Sequence, residues 1–207
     1  MSVSDWLTAF GEDFESAWQE VLGQRADSVR NRALRKGILR QFLAQLLVDD
    51  ERAALHGLPA GCRMRENAKI LNPEKLVCGE HVWIGEGAYI DASGGLTIGA
   101  HTTIGVGVYV WTHTSILANL LMQNVPGGAL VSRRPTRIGT GCYIVGPSVI
   151  NPGVTIGDRV AVLPMSVVTK DVPDNKIVCG APAQVVGEVD EAFIERLRTQ
   201  LAAGPSG

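Results

Sequence analysis

Residues 98–110 read Ile98-Gly99-Ala100-His101-Thr102-Thr103-Ile104-Gly105-Val106-Gly107-Val108-Tyr109-Val110. An apolar residue returns every six positions, and glycine follows it in Ile98-Gly99 and Ile104-Gly105. The same spacing runs back through Cys78, Ile84, Ile90 and Leu96, after a two-residue slip at Leu96-Thr97. It runs on to Ile116, and resumes as Ile138, Ile144, Ile150, Ile156, Val162 and Val168. A weaker early phase uses Met64, Ile70 and Leu76. A strand alternates faces with period two, so a period of six brings the same inward position back in every repeat. A short strand plus a glycine-bearing turn makes one flat face. Three faces close a coil, and stacked coils bury a continuous column of Ile, Val and Leu.

Composition agrees with many turns and one packed core. Glycine supplies 24 of 207 residues, about 12% against a usual level near 7%. The net charge of −2, from 19 basic and 21 acidic residues, predicts no nucleic-acid partner, because phosphate binding needs a basic excess. Aromatic residues, at 5%, are too few for a base-stacking platform. The opening MSVSDWLTAFGEDF carries acids among its apolar residues, which does not fit a secretory leader. No stretch approaches the roughly 18 apolar residues of a membrane span. These features predict a cytoplasmic protein with no transmembrane segment. Cys62, Cys78, Cys142 and Cys179 form no CxxC pair and are read as buried thiols, with no metal predicted.

Three regions follow. Residues 1–61 are a helical region, 62–187 the repeat, and 188–207 a C-terminal helix and tail. In the first, Trp6, Leu7, Phe10, Phe14, Trp18, Val21 and Leu22 mark an amphipathic helix over 2–22. A second helix is predicted from Ala26 to Asp49. It carries Arg25, Arg30, Arg32, Arg35, Lys36 and Arg40 in or beside it. That cluster reads either as a solvated basic face or as a peripheral contact to an anionic acceptor or membrane surface. Phe193, Leu197 and Leu201 give the C-terminal helix a stripe over 190–202. The terminal helices are candidates to cap the open ends of the stack.

The repeat fails over residues 117–136. A long excursion from a regular solenoid is usually functional. Trp111-Thr112-His113-Thr114-Ser115 precedes it. Of the four histidines, His81 and His101 sit inside regular repeats and His56 in the linker, where structural roles suffice. His113 stands where a flat face gives way to the projecting loop.

Ile98 to Val110 and Val149-Ile-Asn-Pro-Gly-Val-Thr-Ile-Gly-Asp158 resemble the hexapeptide-repeat acyltransferases. The resemblance covers roughly residues 64–187. It implies a mainly β fold, a left-handed parallel β-helix, with the hand coming from the family. It also implies transfer of an acetyl group from acetyl-CoA to a hydroxyl of a saccharide or similar small acceptor. Sugar O-acetyltransferases of this kind carry a base histidine before such a loop, which implies that role for His113. An unperturbed imidazole titrates near neutrality and suits it. Tyr143-Ile144-Val145-Gly146 is similar to the segment whose backbone N–H faces the thioester oxygen. That implies an oxyanion role for Gly146 and a pantetheine wall at Tyr143. Asp91 matches an acceptor-binding carboxylate of the galactoside and maltose enzymes, while Gly87 stands where they carry asparagine. The terminal signature, Val167 to Pro173 and Gly180 to Val186, implies coenzyme contacts at Pro164, Thr169, Lys170 and Ala181. Where relatives place arginines after that turn, this chain has Gln184 and Gly187, which shifts the 3′-phosphate contact toward Arg159 or Lys176. The family pattern further implies a homotrimer.

Residues 112–136 contain no Asp or Glu. His113 must then be oriented by a backbone carbonyl, or by an acid from another coil or subunit. No covalent intermediate is required, so Cys142 is not needed as a nucleophile. Two other outcomes stay open: N-acetylation of a nucleotide-linked amino sugar, and a non-enzymatic β-helix scaffold. A zinc carbonic anhydrase on the same solenoid would need three converging histidines, and no short His spacing supplies them.

Overall fold

The computed structural model describes residues 29–123 and 128–203, with only Glu12 and Ser16 before them. The helix expected over 2–22 lies outside the described residues. The chain divides into one compact unit ending at Leu47 and another beginning at Val48.

In the first unit a helix runs from Val29 to Ala44. The predicted single helix to Asp49 is interrupted. Turns over 45–47 precede a separate helix, Asp49–Leu55, in the second unit. Asp49, Asp50 and Glu51 fill its first turn, and the Glu51 carboxylate accepts from the Val48 N–H at 3.1 Å. Acids there complement the helix dipole and start the new helix.

The second unit is a parallel β-helix of three sheets, as the repeat predicts. The first sheet stacks Arg63–Met64, Trp83–Ile84, Thr103–Ile104, Tyr143–Ile144, Ala161–Val162 and Lys176–Gly180. The second stacks Lys69–Leu71, Tyr89–Asp91, Tyr109–Val110, Val149–Ile150 and Val167–Val168. The third stacks Leu76–Cys78, Leu96–Ile98, Thr136–Ile138 and Thr155–Ile156. Identical inward positions pair directly: Met64 with Ile84, Ile84 with Ile104, Ile104 with Ile144, and Ile144 with Val162. All five are fully buried. Burial of each such side chain is worth about 1.5–3 kcal/mol.

The slip at Leu96-Thr97 has a plain cause. In the lower coils the third-sheet strand is three residues long and turns both Leu96 and Ile98 inward, where the later strand Thr155–Ile156 has two. The early coils are thus two residues longer than the later ones. Ile116 departs from the predicted column. It is 60% exposed and starts a short helix, Ile116–Leu120. The chain has already left the second sheet at Thr112, and Thr136 takes the place above Leu96.

Two devices close the stack. At the bottom the helix Asp49–Leu55 contributes buried Ala53 to the core, and buried Arg52 donates to the Met64 carbonyl at 2.6 Å. At the top, Lys176–Gly180 is followed by an antiparallel strand, Ala183–Glu188. The C-terminal helix, Glu191–Ala202, is capped by Asp190, whose carboxylate accepts from the Phe193 N–H. It buries none of its residues and does not cap the solenoid as expected; Leu197 and Leu201 stay exposed.

Candidate active site

The excursion leaves the corner between the second and third sheets. His113–Thr114 pairs with Ser132–Arg133 as a two-stranded antiparallel ribbon, with Arg133 opposite His113. The Arg134 N–H donates to the Thr112 carbonyl at 2.8 Å and returns the chain to the stack. His113 is therefore held between a regular coil and the foot of its own loop.

One coil below, Asp91 ends the strand Tyr89–Asp91 and is completely buried. Its Oδ2 accepts from the Thr112 N–H and the Thr112 hydroxyl, both at 2.9 Å, and lies 2.6 Å from His113 Nδ1. Its Oδ1 accepts from the Ser93 N–H at 2.9 Å. The Ser93 hydroxyl stands 3.1 Å from the same imidazole nitrogen. Burial pushes the Asp91 carboxyl upward, but donors from Ser93, Thr112 and His113 outweigh it and hold the group at about 2. Asp91 is thus ionised at neutral pH and can only accept. The proton between it and His113 sits on Nδ1, which leaves the Nε2 lone pair free in the neutral ring.

Asp91 was expected to face an acceptor; here its carboxylate has no exposed surface and all four of its donors come from Ser93, Thr112 and His113, so it faces the histidine. The acid missing from the loop comes from another coil of the same chain. Thr112 and Ser93, which hold the carboxylate, were not singled out from the sequence. The signal that finds them is the stack itself, once Ile90 is set beneath Val110. Trp111 adjoins the pair. It stands edge-on to the imidazole, with ring centroids 6.1 Å apart and planes at 80°. Tyr109 stacks beside Trp111 and Tyr89 beside Tyr109, so an aromatic row runs down the outer second sheet from the histidine.

The other expected residues fall on two columns. Gly146 and Pro164 occupy successive turns between the first and second sheets, joined by the bond from Met165 N–H to the Pro147 carbonyl. Ala181 follows on the next turn, beside Gly180, whose N–H donates to Ser166. Tyr143 projects outward from the adjoining strand and is 56% exposed. Thr169 and Lys170 instead lie on the corner that carries His113, two coils above it, and both are exposed. Within one chain, then, His113 and Gly146 stand at opposite edges of the second sheet. Gly146 packs so tightly that an added Cβ would lie 1.5 Å from the Val106 carbonyl oxygen. Its own N–H donates to no backbone acceptor among the described residues.

The remaining candidates separate from this site. His81 and His101 stack on each other at the corner between the third and first sheets, with centroids 5.0 Å apart. Among the described residues no group of three or more His, Cys, Asp or Glu is placed to hold a metal ion. Cys142 is buried, its thiol pushed up mainly by that burial, and it donates to the Gly157 carbonyl. Burial and the neighbouring Cys62 raise Cys78 to about 12. Neither is a poised nucleophile. No helix among the described residues is long and apolar enough to cross a membrane.

No family model matches the chain. It is 33% identical over 125 residues to the putative colanic acid biosynthesis acetyltransferase WcaF of Escherichia coli, a match covering 60% of this chain and 65% of that protein. It is 33% identical over 131 residues to the galactoside O-acetyltransferase of Escherichia coli, covering 61% of this chain and 63% of that protein. The chain thus spans just under two thirds of the length of these relatives. Among solved structures, a hexapeptide-repeat acetyltransferase of Vibrio cholerae complexed with acetyl coenzyme A superposes with a TM-score of 0.64 at 26% identity, covering 80% of this chain and 92% of that one. A galactoside acetyltransferase in complex with coenzyme A gives a TM-score of 0.63 at 21% identity, covering 77% and 82%, and shares the fold. In sequence and in architecture the chain resembles the hexapeptide-repeat acetyltransferases.

Proposed function

We propose that this chain, whose solenoid and sequence resemble those of the hexapeptide-repeat acetyltransferases, is an acetyl-CoA-dependent O-acetyltransferase acting on a saccharide hydroxyl. The observation that carries the reading is the Asp91–His113 pair at 2.6 Å, set at the foot of the loop. Bound acetyl-CoA supplies the acetyl group as a thioester. His113 Nε2 takes the proton of the acceptor hydroxyl as that oxygen attacks. Asp91 keeps Nδ1 protonated and favours the imidazolium that results. The Gly146 N–H is the donor for negative charge growing on the thioester oxygen, and as the C–S bond breaks the His113 imidazolium returns the proton to the departing coenzyme sulfur, which leaves as the free thiol. A proton-accepting imidazole suits a hydroxyl, which is a poor nucleophile until its proton leaves.

The residues offered to the coenzyme are compatible with a long, flexible ligand. Gly146, Pro164 and Ala181 line one corner with small or rigid residues, and Tyr143 gives an apolar wall beside them. Lys170 offers a point charge for phosphate. Because the His113 and Gly146 columns lie on different corners, the complete site forms between copies, as in the homotrimer implied by the resemblance. His113 of one copy then faces the Gly146 column of the next.

Calorimetric titration with acetyl-CoA and coenzyme A tests the reading. Saturable binding is expected, and His113→Ala is expected to keep it while losing about 10²–10⁴-fold of turnover on a sugar panel. No binding at millimolar coenzyme returns the chain to the scaffold reading. Near-normal turnover in the variant removes His113 as the base.

A further inference from the structure

We infer that the acceptor carries an anionic group, a carboxylate or a phosphate, close to the hydroxyl that is acetylated, and that Arg133 binds it. The inference rests on the acetyltransferase reading and adds the chemical class of the acceptor. Arg133 stands directly opposite His113 in the antiparallel ribbon. Directly opposed residues project to the same side, with Cβ atoms about 5 Å apart. The guanidinium therefore starts on the face of the ribbon that carries the base. Arg133 is exposed, and no carboxylate among the described residues pairs with it. The surrounding 112–136 segment holds no Asp or Glu. The nearby acid Asp91 is buried and spent on His113, Thr112 and Ser93.

A second arginine extends the patch. The Arg134 stem lies over Gly153, where an added Cβ would meet its Cβ at 3.1 Å and its Nε at 3.3 Å. Gly153 is in the corner turn one coil above His113, and Lys170 lies on the next turn of the same corner. Asp171, beside Lys170, is engaged by the Thr155 N–H at 2.7 Å. Cationic residues thus climb one edge from the base, and Arg133 is the one set opposite it in the ribbon.

Coenzyme A does not account for Arg133. With the thioester at His113, the whole pantetheine arm separates the reacting carbon from the first phosphate, a span much longer than one cross-strand pair. Arg133, one cross-strand pair from His113, lies well inside that span. A planar fork that leaves the ribbon opposite the base suits an anion on the acceptor itself, which it would grip through two parallel hydrogen bonds. A uronic acid and a sugar phosphate both supply that chemistry.

Ligand-observed NMR on the full chain with coenzyme A present tests this, using glucuronate, glucose 1-phosphate and neutral glucose as probes. At least one anion is expected to bind about tenfold or more tightly than glucose. Arg133→Gln should remove that preference without changing coenzyme A affinity, and Arg133→Lys should restore part of it. Preference for glucuronate alone identifies a carboxylate acceptor, and for glucose 1-phosphate alone a phosphorylated one. Equal binding of all three sugars, absence of binding by both anions, or anion binding kept within about twofold in Arg133→Gln overturns the inference. If coenzyme A binds normally in that case, the acetyltransferase reading stands. If coenzyme A itself does not bind the wild-type chain, that reading fails first.

Discussion

Asp91→Asn isolates the structural idea on which the site depends. The carboxylate receives donors on both oxygens, from Ser93 on one and from Thr112 and His113 on the other. An amide offers one oxygen and one NH₂. Whichever way it is turned, its NH₂ faces a backbone N–H, and one buried donor goes unsatisfied at a cost of about 1–3 kcal/mol. The charge adds its own contribution. A carboxyl held at about 2 in the folded chain, against an ordinary 3.8, stabilises the native state by about 2 kcal/mol at neutral pH. The contribution is complete above the unfolded value and disappears as pH falls toward the folded one. Urea denaturation should therefore place the variant about 2–4 kcal/mol below wild type at pH 7. The gap should narrow between pH 4 and pH 2, where the unfolded chain already binds the proton that native Asp91 still lacks. Turnover should fall by about 10³-fold or more with acetyl-CoA affinity unchanged, because the amide no longer enforces the Nδ1–H tautomer. A variant with wild-type turnover, or a gap that stays constant down to pH 2, refutes the reasoning.

Three further outcomes are expected. Gly146→Ala puts a methyl where the Val106 carbonyl oxygen stands, so the coil must spread; denaturation should show a loss of about 1–3 kcal/mol or failure to fold. Ile104→Ala empties a fully buried position in the middle of the column and should cost about 2–5 kcal/mol in the same assay, with the secondary structure retained by circular dichroism. Lys170→Ala removes an exposed cation and should raise the acetyl-CoA KM about tenfold at low salt, less at high salt, with kcat near wild type.

The solenoid was legible because its signal is periodic and local. Each of Ile138, Ile144, Ile150, Ile156, Val162 and Val168 reports the same inward position, and all are buried. The breaks were less legible. Ile116 keeps the spacing but not the fold, because a six-residue period cannot reveal that the chain has left the corner four residues earlier. The helix break before Asp49 carries no glycine or proline; it follows from the acids that start a new turn and from the buried role of Arg52. His113 and Asp91 were both picked out from the sequence, and the slip at Leu96-Thr97 already sets Asp91 one coil below His113; what the spacing does not reveal is that the buried carboxylate meets the imidazole directly. Contact across coils depends on register, and the two extra residues in the lower coils displace it. With that offset known, Asp91, Ser93 and Thr112 fall together without further information. Arg133 was hidden for a similar reason, since only the ribbon pairing sets it opposite the histidine.

The reversed strand at the top has a meaning beyond closing the core. A stack of identical parallel rungs is a one-dimensional crystal, and nothing in its repeat tells it when to stop growing. Its final rung would template the first rung of another molecule, and fibres would follow. Ala183–Glu188 runs against the grain, so no further parallel rung continues the lattice beyond it. At the opposite end a short helix and a buried guanidinium occupy the first rung's carbonyl. The molecule is therefore a crystallite of fixed length, with growth poisoned at both faces.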